Sequence, residues 1–153
     1  MQAADGYSGR MAEPHLPEWR EGTVAILSTV DAGTPHAIPI STAVRAGPRR
    51  VLFALAHSRG SLARLHADTR AALTLIGAVD VAFTARGRAA VVAESIAPAE
   101  NVAAVALEVE HVEQHGRTEF EILDGVRWQW LDEASRQRDA QVRAALRELT
   151  RGA

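Results

Sequence analysis

Short runs of apolar residues, several with the alternation typical of β-strands, recur between residues 23 and 113. Gly, Pro or Asp residues separate most of these runs, as they do between strands joined by turns. The pattern predicts a mainly β domain of about six to eight strands, arranged as a small antiparallel barrel. The predicted strands are Thr23–Val30, Pro35–Arg45, Arg50–Ala56, Ala71–Ile76, Ala103–Glu113, and one long strand or bent hairpin over Val79–Ala93.

Three local signals refine the expected sheet. The four residues from Asp31 to Thr34 predict the loop of a hairpin between the first two strands. Pro39 has no N–H group to donate to a neighbouring strand, so it indicates an edge strand or a bulge. Gly87 lies inside a long strand pattern and predicts a β-bulge there.

Helical patterns stand out in two places. Ser58–Asp68 is polar apart from its leucines and predicts a short helix on the surface of the sheet. Asp132–Thr150 is the clearest helix, because an apolar stripe with spacing i, i+3, i+4, i+7 begins at Val142 and Asp132 can cap its start. A short helical turn is also expected over Pro14–Gly22.

The remaining segments complete the predicted domain organisation. Glu119–Leu123, an Asp-Gly turn and Val126–Leu131 together predict a further hairpin. Met1–Glu13 is polar and aperiodic, which is typical of a flexible tail. The chain has 153 residues, so a single domain over residues 14–153, including the C-terminal helix over residues 132–150, is expected.

Composition excludes several kinds of chemistry. The 17 basic residues are all Arg, and there is no Cys. The absent lysine excludes a Schiff base or a P-loop lysine, and the absent cysteine excludes disulfides, thiolate metal sites and cysteine nucleophiles. A net charge of −2 argues against a nucleic-acid partner. We also expect no signal peptide and no membrane span, and hence a cytoplasmic protein.

The start of the first predicted helix has the features of an anion site. Free N–H groups at a helix N-terminus attract an anion, and the helix dipole adds to this preference. Arg59 and Arg64 can pair with phosphate oxygens, and Ser58 and Ser61 can donate hydroxyl hydrogen bonds. The alternative is that Ser58 only caps the helix and that both arginines are solvated.

Three segments in this order resemble the pyridoxamine 5′-phosphate oxidase-like split β-barrel family. They are Gly22–Val30 with Gly33–His36, Pro39 and Ile40; Ser61–Leu73; and Arg86–Ala89 with Val91 and Val92. The resemblance covers about residues 15–95 and implies a six-stranded antiparallel split β-barrel that forms a homodimer. It also implies a cofactor in the groove between subunits, either FMN or a deazaflavin of the F420 type.

Carried over to this chain, the resemblance assigns the candidate cofactor site. The turn that holds the cofactor phosphate in the family corresponds to His57–Arg64. His57 is a better candidate for a functional histidine than His111 or His115, because it lies at this turn. The strand that runs along the flavin ring corresponds to Ile38–Thr42. The candidate cofactor-binding residues are therefore Ile38, Pro39, Ile40, Ser41, Thr42, His57, Ser58, Arg59, Ser61, Arg64, Arg86, Arg88 and Trp128.

The sequence departs from the family where the phosphate is held. Many members carry lysine at the position of Ser61 and often asparagine at that of Arg64, and they often have Ser or Thr where this chain has Leu55 and Ala56. Arg59 or Arg64 would then have to supply the missing positive charge.

For the other candidate residues, a purely structural role is the alternative to a role in the cofactor site. Arg86 and Arg88 either reach the cofactor groove or form cross-strand ion pairs with Glu108 or Glu110. Trp128 and Trp130 either wall the site or belong to the core or an interface. His111 and His115 have a helical metal-binding spacing, but they lie at the end of a strand pattern, so no metal is expected.

No catalytic residue can be assigned from the sequence. In flavin chemistry the cofactor carries the hydride, and the protein supplies binding and orientation. The first hypothesis is a flavin- or deazaflavin-dependent oxidoreductase that acts on a small-molecule substrate. The alternatives are a non-catalytic split-barrel binder of haem, flavin or another small molecule, and a barrel whose site has been lost.

Overall fold

The computed structural model describes residues 14–152, so the predicted tail over residues 1–13 lies outside the described residues. Seven antiparallel strands form one sheet with the order β2-β1-β5-β6-β7-β4-β3. The strands are β1 (Ala25–Asp31), β2 (Thr34–Ile40), β3 (Val44–Gly47), β4 (Arg50–Ala56), β5 (Arg70–Gly77), β6 (Val81–Ala93) and β7 (Val102–Gln114). The helices are α1 (Gly60–Ala67) and α2 (Glu133–Arg151). The mainly β class is confirmed, with one strand more than the expected six.

The sheet curls until its two edges meet, but it does not close. The edge strands β2 and β3 are joined by only residues 41–43. Four residue steps span at most about 14 Å, whereas opposite edges of a flat seven-stranded sheet would lie roughly 29 Å apart. The sheet must therefore bend round on itself, and no ladder of hydrogen bonds links β2 to β3.

The seventh strand arises because the predicted strand Pro35–Arg45 is broken at Thr42. The Thr42 hydroxyl accepts a hydrogen bond from the Ala54 amide at 3.0 Å and donates one to the Ala54 carbonyl at 3.3 Å. A side chain thus takes the place of a main-chain partner on β4, and the backbone turns the corner from β2 to β3. One expected strand becomes two edge strands.

The hairpin between β1 and β2 is tighter than the sequence predicts. Asp31 pairs directly with Thr34, which leaves a two-residue turn instead of a four-residue loop. Ala32 and Gly33 both have positive φ, +48° and +84°, as tight hairpin turns require. The edge position that Pro39 indicates is confirmed, since β2 pairs only with β1.

Gly87 lies at a bulge, as expected. The register between β6 and β7 shifts between Arg86 and Gly87, and β6 is one long strand instead of a bent hairpin. A Cβ atom at Gly87 would lie 1.8 Å from the Glu108 carbonyl oxygen. Only glycine allows the two backbones to approach this closely.

Alternation along the central strands builds two hydrophobic clusters. On β7, Val105, Leu107 and Val109 point into the curled sheet, while Ala104 and Ala106 point to the other face. The larger cluster fills the inside of the sheet. The smaller one packs the outer face against Val142 and Leu146 of α2, so the predicted apolar stripe of this helix is confirmed. Asp132 caps the helix by accepting a hydrogen bond from the Ser135 amide at 2.7 Å.

The helical turn expected over Pro14–Gly22 is absent, because this segment forms its contacts with the sheet. The Leu16 amide donates to the Pro48 carbonyl at 2.8 Å, and the Trp19 indole donates to the Ala43 carbonyl at 3.2 Å. Leu16 is buried in the larger cluster. The extended backbone thus seals one end of the core.

The hairpin expected over Glu119–Leu131 is also absent. Residues 115–131, called the strap below, contain no strand and run across the outside of the sheet. No backbone hydrogen bonds join the two expected strands to each other in the described residues, and Ile122 instead exchanges hydrogen bonds with Asp80. At Gly125 a Cβ would lie 2.7 Å from the Ile76 carbonyl oxygen. The alternation of Val126, Trp128 and Trp130 is therefore not that of a paired strand.

No helix within residues 14–152 is long and apolar enough to cross a membrane.

Replacing Gly87 with alanine tests the backbone approach at the bulge. Because the new methyl group would collide with backbone, Gly87→Ala should lower the free energy of unfolding by about 3 kcal/mol or more. Gly116→Ala is the matched control, since a Cβ at Gly116 meets nothing within 4 Å, and its effect should stay below about 1 kcal/mol. Urea denaturation of both variants measures the difference, and equal stabilities would contradict the bulge geometry.

Candidate functional site

A cavity of about 640 Å³, called the first cavity below, lies at the corner where the two sheet edges meet. Residues 38–42 form one wall, and the adjoining ends of β4 and β7 form the floor. Trp128–Trp130 of the strap and the first turns of α2 close the outer side. The cavity therefore exists because the sheet bends at residues 41–43 and the C-terminal part of the chain folds back over that bend.

The predicted ring-binding strand lies entirely along this first cavity. Ile38, Pro39, Ile40, Ser41 and Thr42 all line it. Because β2 has a partner on one side only, the backbone groups on its other side are not used by the sheet. The Thr42 hydroxyl is engaged by Ala54, which leaves the half-buried Ser41 as the hydroxyl on this wall without a bond to another described residue.

Arg59 is the part of the predicted phosphate turn that reaches the first cavity. It follows β4, precedes the first residue of α1 and lines the cavity. No carboxylate among residues 14–152 lies within ion-pair distance of Arg59. A second arginine on the cavity wall, Arg138, donates to the Asn101 side chain at 2.7 Å. Arg59 is thus an available positive charge at one end of an otherwise largely apolar space.

The structure does not bring the rest of this turn to the cavity. Ser61 is 1% exposed, because it lies on the inward face of α1. The Arg64 guanidinium folds back and donates to the buried Thr29 hydroxyl at 3.2 Å. The His57 ring contacts the Glu94 carbonyl at 2.6 Å. Ser58 is exposed but is not the N-cap of α1, because that position is Arg59.

Arg86 and Arg88 line a different cavity, of about 330 Å³, on the outer face of β1, β5 and β6. Arg88 lies 3.6 Å from Glu110, which matches the cross-strand pair that the sequence left open as an alternative. Arg70 lines the same cavity. Hydrogen bonds from Arg70 lower the pKa of Asp68 to about 2. Within one chain, Arg86 and Arg88 do not meet residues 38–42 in a single cavity.

Trp128 and Trp130 form the outer wall of the first cavity, which is consistent with the expectation that they wall the site. Their rings meet edge to face with centroids 5.1 Å apart. The Trp128 indole donates to the Gly22 carbonyl at 3.0 Å, which fixes the strap against the loop before β1. The two side chains remain 39% and 41% exposed, so they belong to neither cluster of the core.

A second cavity, of about 960 Å³, lies on the other side of the strap. The loop at residues 20–23, the strap and α2 line it, and Trp128–Trp130 and Asp139 are shared with the first cavity. Arg147 of α2 hydrogen-bonds to Glu21 at 2.8 Å. This bond lowers the pKa of Glu21, so the carboxylate stays ionised and ties the loop to α2.

Sequence reasoning missed the contribution of α2 to both cavities. Arg138 and Asp139 line the first cavity and Arg143 the second. The polar face of the helix gives no sign of which charges are buried. One signal was present: Asp139 and Arg143 have the i, i+4 spacing of an ion pair on a helix.

Histidines and acidic residues form no metal cluster in the part of the chain that the structure describes. The His115 ring bonds to the Thr84 hydroxyl at 2.7 Å.

No protein-family model matches the chain, and no curated protein matches it either. Solved structures do share its fold. A candidate pyridoxamine 5′-phosphate oxidase from Lactobacillus delbrueckii is 20% identical, with a TM-score of 0.53 and coverage of 60% of this chain and 84% of that one. A second, from Listeria innocua, is 9% identical, with a TM-score of 0.53 and coverage of 62% and 90%.

An F420 reductase is similar over a longer part of the chain. It is 13% identical, has a TM-score of 0.53, and the match covers 74% of this chain and all of that one. Identities this low establish a shared fold and do not transfer an activity. The structural neighbours are thus pyridoxamine 5′-phosphate oxidase-like split-barrel proteins, which supports the family that the sequence motifs resemble.

Proposed function

We propose that the protein is an oxidoreductase that binds a flavin-type cofactor, FMN or a deazaflavin, in the first cavity. The observation that carries this proposal is the convergence of three separate stretches on one space. The ring-binding strand, the phosphate-turn arginine and the strap tryptophan were each selected from the sequence, and all line the same cavity.

The cavity fits such a cofactor in size and chemistry. Its volume of about 640 Å³ lies within the range of small-molecule and cofactor sites. Ile38, Val102 and Trp128 offer apolar surface to a planar ring, and the free side of β2 offers backbone hydrogen bonds to the ring edge. Arg59 offers a guanidinium to a phosphate, which arginine can bind with two parallel hydrogen bonds.

The residues of this chain bind the cofactor, orient its ring and shield it from water. The backbone of β2 positions a ring, Arg59 neutralises the phosphate, and Trp128 and Trp130 exclude water from the outer side of the cavity. The bound cofactor itself supplies the hydride transfer. Asp139 is the acidic side chain on the cavity wall, and it is paired with Arg143 at 2.9 Å, so no proton transfer is assigned to it.

A non-catalytic flavin binder is the second candidate. It is favoured by the cavity wall, which carries no unpaired carboxylate and no histidine among the described residues. Haem fits less well, because no His, Cys, Met or Tyr within residues 14–152 lines this cavity to serve as an axial ligand.

The proposal includes a homodimer, as the family resemblance implies. The strap exposes large apolar side chains: Leu131 is 94% exposed, Leu123 78% and Val126 67%. A segment that exposes several large apolar side chains is typical of an interaction surface. A second subunit seated on the strap would also shield the outer wall of the cavity. A cytoplasmic location belongs to the same proposal and rests on the cysteine-free sequence.

Titration with FMN and with F420 tests the cofactor assignment. Binding should quench the fluorescence of Trp128 and Trp130, and Arg59→Ala should weaken the bound cofactor by about tenfold or more, because a charged hydrogen-bonding partner is lost. Arg127→Ala is the control, since this arginine is exposed and lines only the second cavity. If neither cofactor binds, the proposal fails. Unchanged affinity in Arg59→Ala would show that the phosphate lies elsewhere.

Reduction of the bound cofactor separates the two candidate functions. An oxidoreductase should exchange a hydride with NADH or NADPH or with a nitro- or enone-bearing acceptor, which the visible absorbance of the cofactor reports. A cofactor that stays bound but exchanges with none of these favours the non-catalytic binder.

Light scattering after size exclusion tests the dimer. The native chain should elute as a dimer, and Leu123→Glu combined with Leu131→Glu should weaken association by about tenfold or more, because two charges would be buried in an apolar interface. Val92→Glu, a change at an exposed apolar residue outside the strap, should leave the dimer intact. A monomeric native chain would refute this part of the proposal.

A further inference from the structure

We propose that the second cavity is a carboxylate-binding site in which Arg143 is the anchoring residue. The inference starts from an unusual side chain. Arg143 lies in the third turn of α2 and is only 8% exposed, although arginine is rarely buried without a full set of partners. Its guanidinium lines the second cavity beneath the loop at residues 20–23.

The contacts of Arg143 are incomplete. Its Nε lies 2.9 Å from an Asp139 carboxylate oxygen but forms no hydrogen bond there, so the contact is an ion pair only. Within residues 14–152, neither Nη1 nor Nη2 meets a hydrogen-bond acceptor. Nε is the buried nitrogen left without a hydrogen bond, which is unfavourable. The two Nη groups carry the other four of the five N–H donors of an arginine, and they are not among the buried unpaired atoms. The Nη edge is therefore free for a ligand that accepts two parallel hydrogen bonds.

The loop over Arg143 leaves space for this edge. Gly22 packs against the guanidinium, and a Cβ at that position would lie 3.0 Å from Nη1. The φ of Gly22 is +86°, a conformation that favours glycine. The Trp128 indole holds the Gly22 carbonyl in place. Loop, strap and helix together preorganise the guanidinium, which is what a binding site requires.

The charge balance favours a carboxylate over a doubly charged phosphate. Five arginines and three carboxylates line the second cavity, and Glu133 pairs with one of these arginines, Arg136, from outside the cavity. Little net positive charge is left, which suits a ligand with a single negative charge. A planar carboxylate also matches the fork of the two Nη groups.

The second cavity adjoins the first, with the strap as part of their common wall, since Trp128, Gln129, Trp130 and Asp139 line both. A ligand anchored at Arg143 would thus lie beside the proposed cofactor position, with its apolar part against the tryptophans. The substrate of the proposed reaction is therefore a small aromatic or apolar carboxylic acid. This assignment of the acid as substrate rests on the proposed function, whereas the binding site itself does not.

Binding of benzoate, compared with its neutral isostere benzamide, tests the site on the cofactor-free protein. Tryptophan fluorescence or calorimetry should give an affinity for benzoate about tenfold or more above that for benzamide, because only the carboxylate forms charge-assisted hydrogen bonds. Arg143→Gln should remove this preference. Arg136→Gln, on the same helix and the same cavity, is the matched control and should change the affinity less than about twofold.

A second variant keeps the test decisive if Arg143→Gln leaves Asp139 as a destabilising buried charge. Asp139→Asn combined with Arg143→Gln removes both charges. This double variant should fold, as a thermal melt can verify, yet bind benzoate no better than benzamide.

Equal binding of benzoate and benzamide by the native chain would overturn the site. The site would also be overturned if benzoate binding were lost in Arg59→Ala but kept in Arg143→Gln, because the acid would then bind in the first cavity. Benzoate binding without binding of FMN or F420 would keep the site and refute the proposed cofactor.

Discussion

The bond pair between the Thr42 hydroxyl and the backbone of Ala54 is the constraint on which the functional region depends. It ends β2, starts β3 and bends the chain at the point where the edges of the sheet meet. Had residues 35–45 continued as one strand, as their composition suggests, the sheet would have no corner there. The first cavity, and the exposure of the free side of β2 toward it, follow from this bend.

The second constraint is the C-terminal part of the chain, which turns an open corner into two cavities. The strap does not pair as a strand, because the backbone of Ile122 bonds to Asp80 and Gly125 closely approaches the backbone of Ile76. The Trp128 indole adds a side-chain bond to the Gly22 carbonyl. Helix α2 packs on the outer face of the sheet through Val142 and Leu146, and together with the strap it lines both cavities. The same helix delivers Asp139 and Arg143, a nearly buried ion pair whose formation costs desolvation free energy.

Local signals were reliable where the physical cause was itself local. The boundaries of β4, the cap at Asp132, the edge position of Pro39 and the bulge at Gly87 all follow from one residue and its neighbours in the chain. Predictions failed where a distant contact decided the outcome. The Asp-Gly turn at residues 124–125 is typical of a hairpin, but Gly125 is used for contact with the backbone of Ile76 instead. Of the predicted phosphate turn, only Arg59 faces the first cavity, because the inward side of a short helix buries Ser61 and turns Arg64 toward Thr29.

By itself the sequence determined the class of fold, most strand positions, the C-terminal helix and the stretches that could hold a cofactor, because periodicity, turn chemistry and capping act over a few residues. The tertiary structure alone decided which of these stretches share a cavity. It separated Arg86 and Arg88 from residues 38–42 within one chain, and it buried Arg143 beneath Gly22. Such placements depend on how the sheet curls and where the strap and α2 come to rest, and those contacts join residues more than a hundred positions apart, as Trp128 and Gly22 are.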